Sequence, residues 1–258
     1  MRKLIIVLLA LAMATSAATA KKNKKSGKED ISVLRYLLLT EGAVRTTATA
    51  AEKDGEPIWN SVNTTTILPK ESIEYIPVTP RRTVRKIELP GGEVRESDIT
   101  RFQWTKDVIS CRFAYALGDD EKVLDECKFI ELEGPVELDH SWEFHSTRLE
   151  PEPPLASGLA FDYRGRIGSA ELGLSFGESS YTGCLTITTS GRTTTTEGDT
   201  CADGTTVSAG TVESTSTRWY CPGVGPLKEV TSVRLKTADK LCTEYRYVEM
   251  LQSIEIPE

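Results

Sequence analysis

Histidine is scarce in this chain, with His140 and His145 the only two in 258 residues. On a strand, residues of opposite parity face opposite ways, so these two diverge and cannot share a metal. Glu143 and His145 do share a face, but two such common groups match by chance too often to define a hydrolytic site. There is no G-x-S-x-G elbow, no H-E-x-x-H helix and no C-x-x-C pair. Covalent, zinc-hydrolase and zinc-cysteine chemistry therefore lack their usual sequence support. No catalytic residue, metal site or cofactor is expected. The carboxylates of Glu150/Glu152 and Asp119/Asp120 read as solvated loop charges, although a glycosidase pair need not be close in sequence.

Long apolar runs are also missing. The longest, Leu4 to Met13, falls short of the roughly 20 residues a membrane-spanning helix needs. It follows Arg2 and Lys3 and gives way to Ala18-Thr19-Ala20, the order of a signal peptide over residues 1–20 with an A-x-A cleavage site. No cysteine sits at that point, so lipid anchoring there is unsupported. Removing Arg2 and Lys3 from the 31 Lys and Arg leaves 29 against 38 Asp and Glu, or −9 for the processed chain. Residues 21–30, with Lys21, Lys22, Lys24 and Lys25, read as a disordered basic leader. Beyond it no clustered basic surface suggests nucleic acid.

Six cysteines remain, an even number in a chain expected to reach an oxidising compartment. A hairpin centred on Asp119 would put Cys111 directly opposite Cys127, at a separation a disulfide can bridge. Cys184, Cys201, Cys221 and Cys242 allow three pairings that sequence alone cannot separate, with Cys201–Cys221 and Cys184–Cys242 favoured. Asp119 to Glu126 could instead form two helical turns, which would weaken the Cys111–Cys127 argument.

The body of the chain reads as an antiparallel β meander. Residues 108–113, 185–189, 216–220, 228–236 and 243–250 are rich in β-branched and aromatic residues at strand-like lengths. Pro90-Gly91-Gly92, Gly191, Gly204 and Thr237 to Lys240 supply turns. The threonine-rich stretch 186–217 has no proline to hold open a mucin-like stalk, so two wet-faced strands with a mobile tip are expected. Asn63-Thr64-Thr65 has the form of a glycosylation sequon, which carries little weight if the host is bacterial. Pro151, Pro153 and Pro154 mark residues 149–155 as a linker or crossover between a 31–148 unit and a 156–255 unit.

Several segments bear a resemblance. Tyr36 to Gly42 and Pro135 to Trp142 resemble the "P-L-x-x-G-x-x-W" strand openings of a group of uncharacterised bacterial envelope proteins. Tyr181 to Ile187 resembles that group's "F-x-x-C-L-x-V" strand. Thr217 to Glu229 resembles its "W-Y-A-P-G-V-G-x-V-K-E" closing strand. Arg45 stands where the first tryptophan is expected. Asp139 replaces the second glycine, and Asp tolerates a left-handed turn better than most residues. The resemblance implies a mainly β fold with a curved antiparallel sheet or half-barrel, similar to LolA and LolB periplasmic lipoprotein carriers, whose concave face holds acyl chains. In the closing motif Pro222 fixes a turn, Gly223 and Gly225 permit unusual backbone angles, and Val224 is an apolar plug. Trp219 and Tyr220 should face opposite ways.

Two functions follow. A carrier would hold a lipid-like or other apolar ligand on the concave sheet, with Trp142, Trp219 and Val224 as lining residues. A structural or protein-interaction module of the cell envelope would have a filled core. A continuous pocket of a few hundred Å3 would favour the carrier. Either way the protein is expected to be exported, to the periplasm or beyond, with no membrane-spanning segment after processing.

Overall fold

The computed structural model describes residues 32–73, 76–106, 109–114, 129–146, 159–176, 179–195, 199–237 and 240–257. The signal segment, the basic leader, the 149–155 linker and the alternative helix at Asp119 to Glu126 lie outside these residues. After a 3-10 turn at Val33–Tyr36 come β1 (Val44–Lys53), β2 (Glu56–Ile67), β3 (Glu71–Ile73), β4 (Ile76–Glu88), β5 (Val94–Lys106), β6 (Ile109–Ala114) and β7 (Phe129–Glu133). The later strands are β8 (Ser141–Ser146), β9 (Phe161–Phe176), β10 (Ser179–Thr195), β11 (Asp199–Thr200), β12 (Thr206–Val207), β13 (Gly210–Cys221), β14 (Gly225–Lys236) and β15 (Leu241–Glu255).

Among the described residues, all strands but β11 and β12 join one 13-stranded antiparallel sheet, ordered β7-β6-β5-β4-β2-β1-β15-β14-β13-β10-β9-β8, with β3 beside β4. Each half of the order is a six-stranded meander, and the two meet where β1 pairs with β15. The mainly β expectation holds, and strands from both of the anticipated units enter the same sheet.

The sheet curls strongly without closing. Glu131 of β7 and Tyr220 of β13 lie eight places apart in the strand order. A flat sheet would separate them by roughly 38 Å, at about 4.8 Å per strand. Instead the Tyr220 hydroxyl donates to Glu131 Oε1 at 2.6 Å. The concave side therefore forms the interior.

The two strand openings of the sequence fold alike. Gly42 and Asp139 both take positive φ, 76° and 67°. Gly42 N donates to Ile67 O, and Ile67 N to Ala43 O; Asp139 N donates to Ile167 O, and Ile167 N to His140 O, all at 2.9 Å. Three residues beyond each left-handed residue, Arg45 faces Thr65 across β1 and β2, and Trp142 faces Gly165 across β8 and β9. The same local device thus delivers a tryptophan to the interior in one half and an arginine in the other.

Three expectations are corrected. Gly191 is not a turn; it lies inside β10, where the ring of Tyr163 packs over it, and an added Cβ would come within 2.5 Å of that ring. Among the described residues the disulfides are Cys184–Cys221 and Cys201–Cys242, not Cys201–Cys221 with Cys184–Cys242. The β10–β13 register sets Leu185 opposite Tyr220, so 184 and 221 are neighbours across the ladder, 4.2 Å apart at Cα. The β6–β7 register pairs Cys111 with Ile130 rather than with residue 127. The Cys111–Cys127 bond itself lies outside the described residues. Turns form where expected at Pro90-Gly91-Gly92, at Gly204 and in the closing motif, with positive φ at Gly92, Gly204, Gly223 and Gly225.

Candidate functional site

The interior divides by polarity. Toward β8–β10 it is apolar: Trp142, Ile167, Leu185, Ile187 and Tyr220 pack with Val33 and Tyr36 of the N-terminal turn and Leu132 of β7. A second cluster, with Phe161, Tyr163, Val212, Val233, Leu235 and Tyr245, fills the far end beside the Cys201–Cys242 bond. Each such side chain contributes about 1.5–3 kcal/mol by leaving water.

Toward β1, β2 and β4 the inward positions are polar. Arg45, Thr47 and Thr49 alternate along β1, and Arg81, Thr83 and Arg85 along β4, and all of them line a cavity of about 120 Å3. Two more arginines reach it, Arg101 from β5 and Arg218 from β13. Leu37, Leu38 and Val224 supply apolar wall.

Three carboxylates also line this space, and each is tied down. Glu229 Oε1 accepts from Arg218 Nη2 at 2.7 Å, Ser216 Oγ at 2.9 Å and Thr231 Oγ1 at 3.1 Å. Glu131, fully buried, accepts from Tyr220 and from Gln103 Nε2, the latter at 3.2 Å. Glu249 Oε2 accepts from Thr49 and Asn63, and its Oε1 lies 3.5 Å from Arg45 Nη2. Arg45 Nη2 also donates to the Pro226 carbonyl, while Arg45 Nε, shielded from solvent, makes no hydrogen bond. Arg81 Nη2 donates to Leu38 O, and Arg85 Nε to Asn63 Oδ1, each at 3.0 Å. Tyr247 stands at one wall, its phenol pushed up from the ordinary tyrosine range by burial and by neighbouring Tyr245.

The sequence-predicted residues separate. Val224 lines the cavity. Trp142 is sunk in the apolar cluster, its ring over Gly165, and does not reach the cavity. Trp219 is half-buried on the opposite face from Arg218 and Tyr220, under Lys228 Nζ at 5.3 Å from its ring centroid. His140 stacks beside Trp142, with ring centroids 6.0 Å apart. His145 Nδ1 lies 2.9 Å from Asp162 on the exposed surface. Among the described residues no group of three or more His, Cys, Asp or Glu is placed to hold a metal ion, and no helix is long and apolar enough to cross a membrane.

The five arginines escaped the sequence reading because alternation was sought only with apolar side chains inward. The signal present was Arg81-Thr83-Arg85 and Arg45-Thr47-Thr49, polar residues at strand period 2.

No protein-family model matches the chain, and no curated protein matches it. Among solved structures, a protein of Parabacteroides distasonis described as a "putative lipoprotein" aligns at 10% identity and TM-score 0.37, over 86% of this chain and 99% of that one. A protein of Bacteroides fragilis described as a "putative exported protein with YmcC-like fold" aligns at 9% identity and TM-score 0.37, with the same coverage. No functional assignment follows from either.

Proposed function

We propose that this protein is an exported, non-enzymatic structural or protein-interaction module of the bacterial cell envelope, a curved sheet filled by its own chain rather than by a lipid. The observation that carries this reading is the occupation of the concave face by the N-terminal segment. Val33, Tyr36, Leu37 and Leu38 are all buried there, where a half-barrel carrier would hold acyl chains. The cavity that the described residues line beside this segment, about 120 Å3 with charged walls, is below the roughly 300–1,000 Å3 of sites that enclose organic ligands. Export is supported by the order of residues 1–20 and by cysteines paired as in an oxidising compartment.

Native mass spectrometry of protein released from its own host by osmotic shock tests both parts. The expected mass is that of the chain from Lys21 without adduct. A co-purifying lipid would return the carrier reading, and retention of the protein in the cytoplasm would remove the envelope role.

A further inference from the structure

We infer that the convex face of β14, β15, β1, β2 and β4 is the contact surface between two copies of this chain. An antiparallel sheet packed on one face turns polar side chains to water on the other. The outer face follows this over β10 and β13, where Thr188, Ser190, Thr215 and Thr217 alternate with the buried Thr189, Ser214 and Ser216. On the central strands the pattern breaks. Register sets Val230 opposite Val248, Val248 opposite Ala50, Met250 opposite Ala48 and Ala48 opposite Val62. Thr231 and Glu229 line the interior, so Val230 between them points outward. These six side chains form one apolar band across β14, β15, β1 and β2, with Val62 47% exposed.

The charges around the band select what covers it. Lys86 pairs with Glu96 at 3.6 Å, and Arg246 with Glu52 at 3.7 Å. Lys228 and Glu88 have no ionic partner among the described residues, and the Lys228 ammonium meets only the Trp219 ring. Lys228 stands opposite Met250 at the β14 end of the band, and Glu88 opposite Asn60 at the β4 end. An apolar strip with a free cation at one end and a free anion at the other is complementary to itself turned around. In the order β4-β2-β1-β15-β14, β1 is the middle strand. A two-fold axis along β1 lays β14 of each copy over β4 of the other, so two Lys228–Glu88 pairs form at once. Sheets stacked face to face lie about 10 Å apart with strands nearly aligned, within reach of these long side chains. An anionic lipid surface fits less well, since it would meet Glu88 and a chain of net charge −7.

The test is sedimentation velocity of the processed full-length chain across its soluble concentration range. A reversible equilibrium between monomer and dimer is expected. Val62→Asp, at an exposed position, should weaken the dimer at least about tenfold by placing a charge inside the contact. Lys228→Glu and Glu88→Lys should each weaken it by about the same factor, through like charges set against each other. The double variant should restore association. An equimolar mixture of the two single variants should restore it too, because in a two-fold pair each position 228 meets position 88 of the other copy.

A parent-only measurement covers variants that fail to fold. Carbodiimide treatment of mixed unlabelled and isotope-labelled chains should give a Lys228–Glu88 cross-link between differently labelled copies, read by peptide mass spectrometry. Within one chain the two residues lie four strands apart, roughly 19 Å at about 4.8 Å per strand, too far for a reagent that adds no spacer. A chain that stays monomeric, a dimer indifferent to Val62→Asp, charge variants that fail to recover together, or absence of the cross-link would each overturn the inference. Flotation of a monomeric chain with phosphatidylglycerol vesicles, abolished by Val62→Asp, would assign the face to lipid instead. Monomer and dimer are alike free of lipid adduct if the concave face is filled, so the two proposals stand or fall separately.

Discussion

Gly165 and Trp142 are matched by size across β8 and β9. A Cβ at residue 165 would stand 2.2 Å from Trp142 Cε2, so the indole lies where a side chain would otherwise be. Gly165→Ala is expected to cost about 1–3 kcal/mol of stability in urea unfolding through overpacking. That cost should shrink in a Trp142→Ala background, where the clash is gone; an unchanged cost would show that the glycine serves something other than the ring. Glu229 makes a second residue-scale prediction. It accepts from three side chains, including Arg218, and Glu229→Gln would remove the carboxylate charge from its pair with the Arg218 guanidinium, 4% exposed. A loss of about 3–5 kcal/mol is expected, and a change below about 1 kcal/mol would mean that neighbouring groups replace the carboxylate. Neither pairing could be read from the sequence, because Gly165 and Trp142 are joined by register and Arg218 and Glu229 by neighbouring strands.

The elements were more legible than their contacts. Strands at 185–189, 216–220, 228–236 and 243–250 lie within β10, β13, β14 and β15, since β-branched and aromatic runs bounded by turn residues need little tertiary help. Asp139 adopts the left-handed angle that its place in the opening motif required. The cysteine pairing failed for a reason of register. Gly204 was recognised as a turn, yet a hairpin centred on that turn sets 184 opposite 221; favouring Cys201–Cys221 ignored the ladder that flanks the turn. The tip carrying β11 and β12 is instead tied to the start of β15 by Cys201–Cys242. Replacing either pair with alanines should lower unfolding free energy by about 2–4 kcal/mol, given closed loops of 37 and 41 residues. Denaturant midpoints of the two double variants measure this, and an unchanged midpoint would mean that the strand ladder alone fixes those ends.

At the scale of the whole molecule, acid should loosen the sheet. The Lys236 ammonium hydrogen-bonds Glu213 and holds its carboxyl below the usual range, and Lys240 with Thr205 does the same for Asp203. Carboxyls with depressed folded-state pKa add stability that is present above their unfolded value of about 4 and is lost as pH falls through the folded value. Thermal midpoints should therefore be flat from neutral pH to about 5 and decline below about 4; a midpoint that rises on acidification would contradict the assignment. Salt should mute the effect, because these pairs are exposed.

By itself the sequence determined the β class, the oxidation of Cys184, Cys201, Cys221 and Cys242, the turns at Gly92, Gly204 and Gly223 and the absence of the usual catalytic motifs, since each depends on local propensity or on composition. Only the tertiary structure decided which face of each strand turns inward. Alternation fixes that two faces differ, and not which one is concave. In β1 and β4 the polar face points in, so that Ala48, Ala50 and Val62 meet on the outer side with Val62 half exposed. The same curling brings Glu131 and Tyr220 together from opposite arms of the sheet, and gathers arginines from β1, β4, β5 and β13 around one small cavity. That convergence belongs to the closure of the whole sheet, and no window of the chain contains it.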